Sequence, residues 1–242
     1  MFKFIFLLIS TFCFISATTI EGTVTYGGNL VTASPVSMDA DPMCGIMYGD
    51  DNKPLSEKML LNEEKQFQNV MVWLKPVNEY TGDLVSNPAT IDQVGCRYTP
   101  HVNIFTVGQE VLIKNSDETL HNVNSKSKIN ESFNSAQPAG VPEIKKQFNS
   151  AEEPFYLKCD VHPWMKAWIM VSDHPFFAIT DENGFYKIEN VPSGNYEIVF
   201  WQERLSNLPK KYIKVSNAQS LEIKDVDETT VVDYEFQKPV KK

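Results

Sequence analysis

The chain has 242 residues, 42% hydrophobic and 22% charged, an ordinary globular mixture with room for one large or two small domains. Its 22 Lys and Arg face 31 Asp and Glu, a net charge of −9 that argues against a protein that tracks nucleic-acid phosphates. An acidic surface suits a protein that meets a basic partner.

The start reads as a secretory signal peptide over residues 1–17: Lys3, a compact apolar run from Phe4 to Ile15, then the small pair Ser16-Ala17. A bilayer span takes ~20 apolar residues, so a membrane anchor is the lesser reading. Phe12 is too bulky to make Cys13 a lipoprotein site, and no later segment is long and apolar enough to span. The expectation is a protein exported to a bacterial periplasm, with no membrane span after cleavage.

Helix signals are poor, and short alternating runs broken by turn residues predict an all-β fold. Residues 20–26 and 69–76 read as strands, and 57–67 as a short helix or loop. Residues 101–107 and 110–115 flank Gly108-Gln109 and read as a hairpin. The polar stretch 124–153 reads as a long loop or a weakly structured connection. Strand-like runs at 154–159 and 166–171 bracket a short loop. Runs at 175–180, 185–191 and 195–201 read as a meander, turning at 181–184 and at 192–194, where Gly184 and Gly194 permit positive φ. Runs at 211–216, 220–226 and 230–236 finish the chain.

Cys13 leaves with the signal, so Cys44, Cys96 and Cys159 remain. In an oxidising compartment two can pair and the odd one needs a reason. Cys159 has a His and a Met beside it, which makes Cys44–Cys96 the expected disulfide. All three pairings are open on sequence alone.

The stretch "FYLKCDVHPWMKAWIMV", 155–171, sets Cys159, His162 and Met165 in a C-x-x-H-x-x-M run. His121 lies upstream in "VGQEVLIKNSDETLHNV". Two imidazoles and a thiolate in a plane, with a long axial thioether, make a type 1 copper arrangement. Cys must bind as thiolate and His as neutral imidazole. Soft sulfur favours Cu(I) while imidazole suits both states, so an electron can move with little rearrangement. The open position and general base of a hydrolytic zinc site are not evident. The bland readings are a half-cystine for Cys159 and core packing for Met165. Trp164 and Trp168 read as packing residues. His101 reads as a hydrogen-bonded structural histidine rather than part of a second copper site, and His174 as structural. The loop has no second Cys for a two-copper electron-transfer site, and His-rich oxidase motifs are absent.

These motifs, with "CRYTPHVNIFTVGQEV" before them, resemble the small cupredoxins of the amicyanin and plastocyanin type over about residues 88–172. The resemblance implies a Greek-key β-sandwich holding one copper on His121, Cys159, His162 and Met165. It implies that Asn122 hydrogen-bonds the thiolate through its backbone. Pro163 and Trp164 would form an apolar rim around an exposed His162, which would be the electron port.

"TDENGFYKIENVPSGNY", 180–196, resembles the carboxypeptidase regulatory-like module, a small transthyretin-like sandwich related to carbohydrate-binding folds, with no catalytic residues. The opening strands of that module match "EGTVTYGG" and "NVMVWLK", far upstream. The expected organisation is therefore a cupredoxin at 85–173 inserted into a sandwich made of 18–84 and 174–240. The alternative is a cupredoxin at 18–173 followed by a sandwich at 174–240. The expected function is single-electron transfer, not enzymatic turnover, with a partner such as a c-type cytochrome or a periplasmic oxidoreductase. The competing reading is a copper chaperone or store, or a carbohydrate- or protein-binding module.

Overall fold

The computed structural model describes residues 17–49, 52–76, 79–213, 216–224 and 228–242. The expected signal peptide, apart from Ala17, lies outside the described residues. The fold is all-β. In chain order the first elements are β1 (Ala17–Tyr26), α1 (Pro42–Tyr48), β2 (Leu60–Leu61), β3 (Phe67–Gln68) and β4 (Met71–Pro76). Next come β5 (Ala89–Gln93), β6 (Tyr98–Thr99), β7 (Val102–Thr106), β8 (Glu110–Asn115), β9 (His121–Ser125), β10 (Asn134–Gln137), β11 (Ile144–Gln147), β12 (Glu152–Lys158) and β13 (Lys166–Ser172). The last are β14 (Phe177–Ile179), β15 (Phe185–Pro192), β16 (Gly194–Trp201), α2 (Glu203–Ser206), β17 (Ala218–Ile223), β18 (Thr230–Val231) and β19 (Tyr234–Phe236).

Two sandwiches result. In the first, β15, β1 and β18 form one sheet, with β19 also on β1, and the facing sheet runs β14-β4-β16-β17. Ile20 pairs with Ile188 and Val72 with Phe200, so strands from both ends of the sequence build it. Alternate residues point inward: Ile20, Val24 and Tyr26 from β1 meet Val72, Leu74, Ile198 and Phe200 in one core. Gly22 is needed there, because a Cβ would lie 2.1 Å from the Val232 carbonyl oxygen. The second sandwich has sheets β10-β9-β12-β13-β7 and β11-β8-β5-β6 around Ile91, Phe105, Ile113, Leu157 and Ile169. Among the described residues, β1 pairs with no strand of this second sandwich.

The sandwiches meet through Met71, Trp73, Val199 and Trp201 on one side and Val102, Trp168 and Met170 on the other. The Trp168 and Trp201 rings cross edge-on, with centroids 4.7 Å apart. Each large side chain buried there stabilises the contact by about 1.5–3 kcal/mol, so the interface is a second-rank core rather than a loose hinge. Trp168 is thus a packing residue.

Several sequence expectations change. Residues 57–67 form no helix but the β2–β3 ribbon. The Asn62 side chain accepts the Gln66 N–H at 2.8 Å, and Lys65 takes φ 61°, so local side-chain bonding makes a turn where a helix would need continuity. The pair flanking Gly108 is not a hairpin. β7 pairs with β13 and β8 with β5 and β11, so the turn crosses between sheets that share one core. The runs after 175 are not a meander either, because β15 joins β1 while β14 and β16 join β4. Gly184 takes φ 65° and Gly194 φ 158° in the turns expected of them. The stretch 124–153 contains two polar edge strands, β10 and β11. A helix missing from the sequence reading, α1, begins at the N-cap Asp41 with Pro42 at its first position. Its segment leaves the first sandwich, and Met38 and Cys44 are buried in the second core. Among the described residues no helix is long and apolar enough to cross a membrane.

Candidate metal centre

The centre forms at one end of the second sandwich. β12 and β13 pair up to Lys158 and Lys166, and the seven residues between them make a tight loop. The Cys159 N–H donates to the Met165 carbonyl at 3.2 Å, and the Met165 N–H to the His162 carbonyl at 2.9 Å. These bonds fix where Cys159 and His162 sit. His121 is the first residue of β9, the neighbour of β12 in the same sheet.

The structure brings His121, Cys159 and His162 together. The two Nδ1 atoms are 2.9 Å apart, and Cys159 Sγ is 3.6 Å from His162 Nδ1. His121 is 0% exposed, and Cys159, His162 and Met165 are each 1% exposed. Cys159 carries a free thiol, while Cys44 and Cys96 are joined in a disulfide. Met165 is buried in the same core as Cys159.

Each imidazole is held from behind by a carboxylate. His121 Nε2–H donates to Asp117 Oδ2 at 2.8 Å, and His162 Nε2–H to Asp41 Oδ2 at 2.7 Å. A neutral imidazole has one N–H, so a proton assigned to Nε2 leaves the Nδ1 lone pair free. Carboxylate–histidine pairs of this kind orient metal-ligating imidazoles and raise their basicity. Asp117 is itself fixed by the N–H groups of Gly95 and Cys96, at 2.7 and 2.8 Å. Burial pushes the Asp117 carboxyl up, but these donors and His121 outweigh it and hold it below the ordinary value. Burial opposes charge on His121 too, yet Asp117 and Cys159 raise it to about 9. Burial likewise pushes the Cys159 thiol up. His121 and the backbone N–H groups of Asn122, His162 and Val161 bring it below the ordinary value. In the metal-free protein these groups favour a thiolate beside a protonated His121, and a transition-metal ion that displaced the His121 proton would meet thiolate and imidazole donors together.

The remaining expected residues have clear places. Asn122 also accepts the Asp160 N–H through Oδ1 at 2.6 Å, bracing the loop against β9, and its carbonyl accepts the Tyr98 hydroxyl at 2.5 Å. Pro163 is exposed. Trp164 is half-buried, with its ring 5.1 Å from that of His162, and it donates Nε1–H to the Cys96 carbonyl at 2.9 Å. The exposed His162 port is not present. The α1 segment lies over the ring, with Asp41 on Nε2 and Cys44 Sγ 3.7 Å from the same atom. Asp41 and Asp117 were missed by the sequence reading. The Asp-Pro helix start was the available signal for the first, and the four-residue spacing to His121 for the second.

His101 is not with the metal donors. Its Nδ1 lies 3.0 Å from the Lys166 carbonyl and its Nε2 2.7 Å from Glu203 of α2, across the sandwich interface. His174 is buried, accepts the Phe176 N–H at Nδ1, and has its pKa lowered by that burial.

No protein-family model matches the chain, and no curated protein matches it. Solved structures similar to part of it include a Cu-containing nitrite reductase from Thermus scotoductus SA-01, at 23% identity and TM-score 0.34, over 41% of this chain and 26% of that one. They also include a purple cupredoxin from Nitrosopumilus maritimus, at 25% identity and TM-score 0.30, over 35% of this chain and 99% of that one. Amicyanin from Paracoccus versutus matches at 19% identity and TM-score 0.32, over 41% and 97%.

Proposed function

We propose that this chain is a type 1 copper protein that carries single electrons between redox partners. The observation behind this is the convergence of two Nδ1 atoms 2.9 Å apart with a thiol sulfur 3.6 Å from one of them, each imidazole backed by a carboxylate. His121, Cys159 and His162 would hold the ion, with Met165, buried in the same core, as a further sulfur donor. When bound, copper would supply a one-electron couple between Cu(II) and Cu(I). The chain's own residues hold each imidazole by its Nε2 with Nδ1 turned toward the other donors, favour the thiolate and bury the site.

Burial favours a carrier over a chaperone or store, because an ion passed on by ligand exchange needs exposed donors, and these four residues are at most 1% exposed. The same burial favours a carrier over an enzyme, whose substrate would have to reach the metal. We read 85–173 as the copper domain, inserted into a carboxypeptidase regulatory-like sandwich of 18–84 and 174–240 that serves docking or spacing. We also propose export to a periplasm after loss of residues 1–17, and a c-type cytochrome or periplasmic oxidoreductase as partner.

Cyclic voltammetry of the copper-loaded protein tests this function. A reversible one-electron wave that disappears in Cys159→Ser is expected. Tight Cu(I) binding without reversible redox would favour the chaperone reading instead.

A further inference from the structure

Asp41 divides its carboxylate between two tasks. Oδ1 accepts the Met43 N–H at 2.8 Å and starts α1. Oδ2 accepts His162 Nε2–H at 2.7 Å, with Thr119 Oγ1 3.5 Å away. Three residues later, buried Cys44 is bonded to Cys96. The Cys96 N–H donates to Asp117 Oδ2, the same oxygen that accepts from His121. One disulfide therefore links the segments carrying both carboxylate–imidazole pairs.

We propose that Asp41 is a positioning residue for His162, and that the Cys44–Cys96 disulfide keeps it in place. This rests on the copper reading above and goes beyond it by assigning a role to a segment outside the copper domain. Without an acceptor at Nε2, the imidazole proton can sit on either nitrogen and the ring is free to turn. With Asp41 there, the lone pair stays at Nδ1, facing His121 and Cys159. A carboxylate behind the ring also makes Nδ1 a stronger donor, which favours the more highly charged Cu(II). The same contact covers the ring edge, so electrons exchange through the residues packed over His162 rather than through a bare imidazole.

Two measurements on the full chain decide this. The first needs no copper: ¹⁵N NMR of the His162 ring in metal-free protein. A slowly exchanging Nε2–H is expected in the wild type and in Asp41→Asn, which keeps an acceptor. Its loss is expected in Asp41→Ala and in the Cys44→Ser/Cys96→Ser double variant. The second is competitive titration with Cu(II). Asp41→Ala is expected to bind about 10–100-fold more weakly, the usual effect of losing an outer partner of a ligating histidine, and Asp41→Asn to fall between. At unchanged Cu(I) affinity, each tenfold loss appears as a rise of about 59 mV in potential. A wild-type tautomer and affinity in Asp41→Ala would overturn the assignment, and the same result in the double-cysteine variant would overturn the role of the disulfide. If the wild type takes up no Cu(II), the copper reading fails and the NMR result still decides the role of Asp41. If Asp41→Ala does not fold, the Cu(II) titration of Asp41→Asn decides: weaker binding than wild type is expected, and wild-type affinity would overturn the proposal.

Discussion

His121 Nδ1 and His162 Nδ1 face each other 2.9 Å apart, although both rings point their other nitrogen at a carboxylate. Two lone pairs at that distance repel unless a proton or a metal ion lies between them. Metal loading should therefore stabilise the fold as well as fill the site. At a free copper concentration a thousandfold above Kd, the unfolding free energy should rise by about 4 kcal/mol. Urea denaturation with and without Cu(II), and after a strong chelator, checks this. No shift in midpoint would mean that the pair is satisfied by a proton alone.

The Cys44–Cys96 disulfide spans 52 residues of sequence and links α1 to the second sandwich. Closing a loop of that size restricts the unfolded chain, so Cys44→Ser/Cys96→Ser should lose about 2–4 kcal/mol of stability. The double variant leaves neither Cys44 nor Cys96 as an unpaired thiol. Denaturation of the metal-free proteins separates this loss from any change in metal affinity.

His101 and Glu203 meet at 2.7 Å across the sandwich interface, with both side chains buried. Burial pushes the Glu203 carboxyl up, but His101, Trp168 and Lys166 hold it below the ordinary value. His101→Ala leaves a buried carboxylate short of a donor, and should cost about 1–3 kcal/mol. Adding Glu203→Gln should restore part of that loss. A double-mutant cycle showing strict additivity would mean that the two residues do not act as a pair.

Glu152, at the start of β12, accepts the backbone N–H of Lys128, Ile129 and Asn130 at 2.6, 3.2 and 3.2 Å. Burial pushes its carboxyl up, but these donors, with the Ser127 hydroxyl and the Asn130 amide, hold it below the ordinary 4.5. The unfolded state therefore takes up the proton first. The stabilisation is complete above the ordinary value and is lost as pH falls through the lower, folded-state value. Glu152→Gln should cost about 1–3 kcal/mol at neutral pH and flatten the acid limb of the stability curve. Urea midpoints taken from pH 7 to pH 3 measure both effects.

Much of the site was legible because it is local. The C-x-x-H-x-x-M spacing needs only one loop between two paired strands, and the H-N-V step marks the strand beside it. What could not be read was the closure over His162. Asp41 lies 121 residues from His162 in sequence, and nothing in "DPMC" names its target. Strand runs were legible from alternation, but alternation gives a face and not a partner. That is why β7 and β8 looked like a hairpin when they belong to opposite sheets. β10 and β11 were hidden for the opposite reason: as edge strands they bury few side chains, so their sequences look like loop.

Whether Cys159 holds a type 1 copper is tested most directly by the absorbance and electron paramagnetic resonance of Cu(II)-loaded protein beside its Cys159→Ser variant. An intense blue or green colour with narrow copper hyperfine splitting is expected in the wild type, and loss of both in the variant. A colourless copper-loaded protein, or a signal unchanged by removing Cys159, would contradict a type 1 copper site on Cys159.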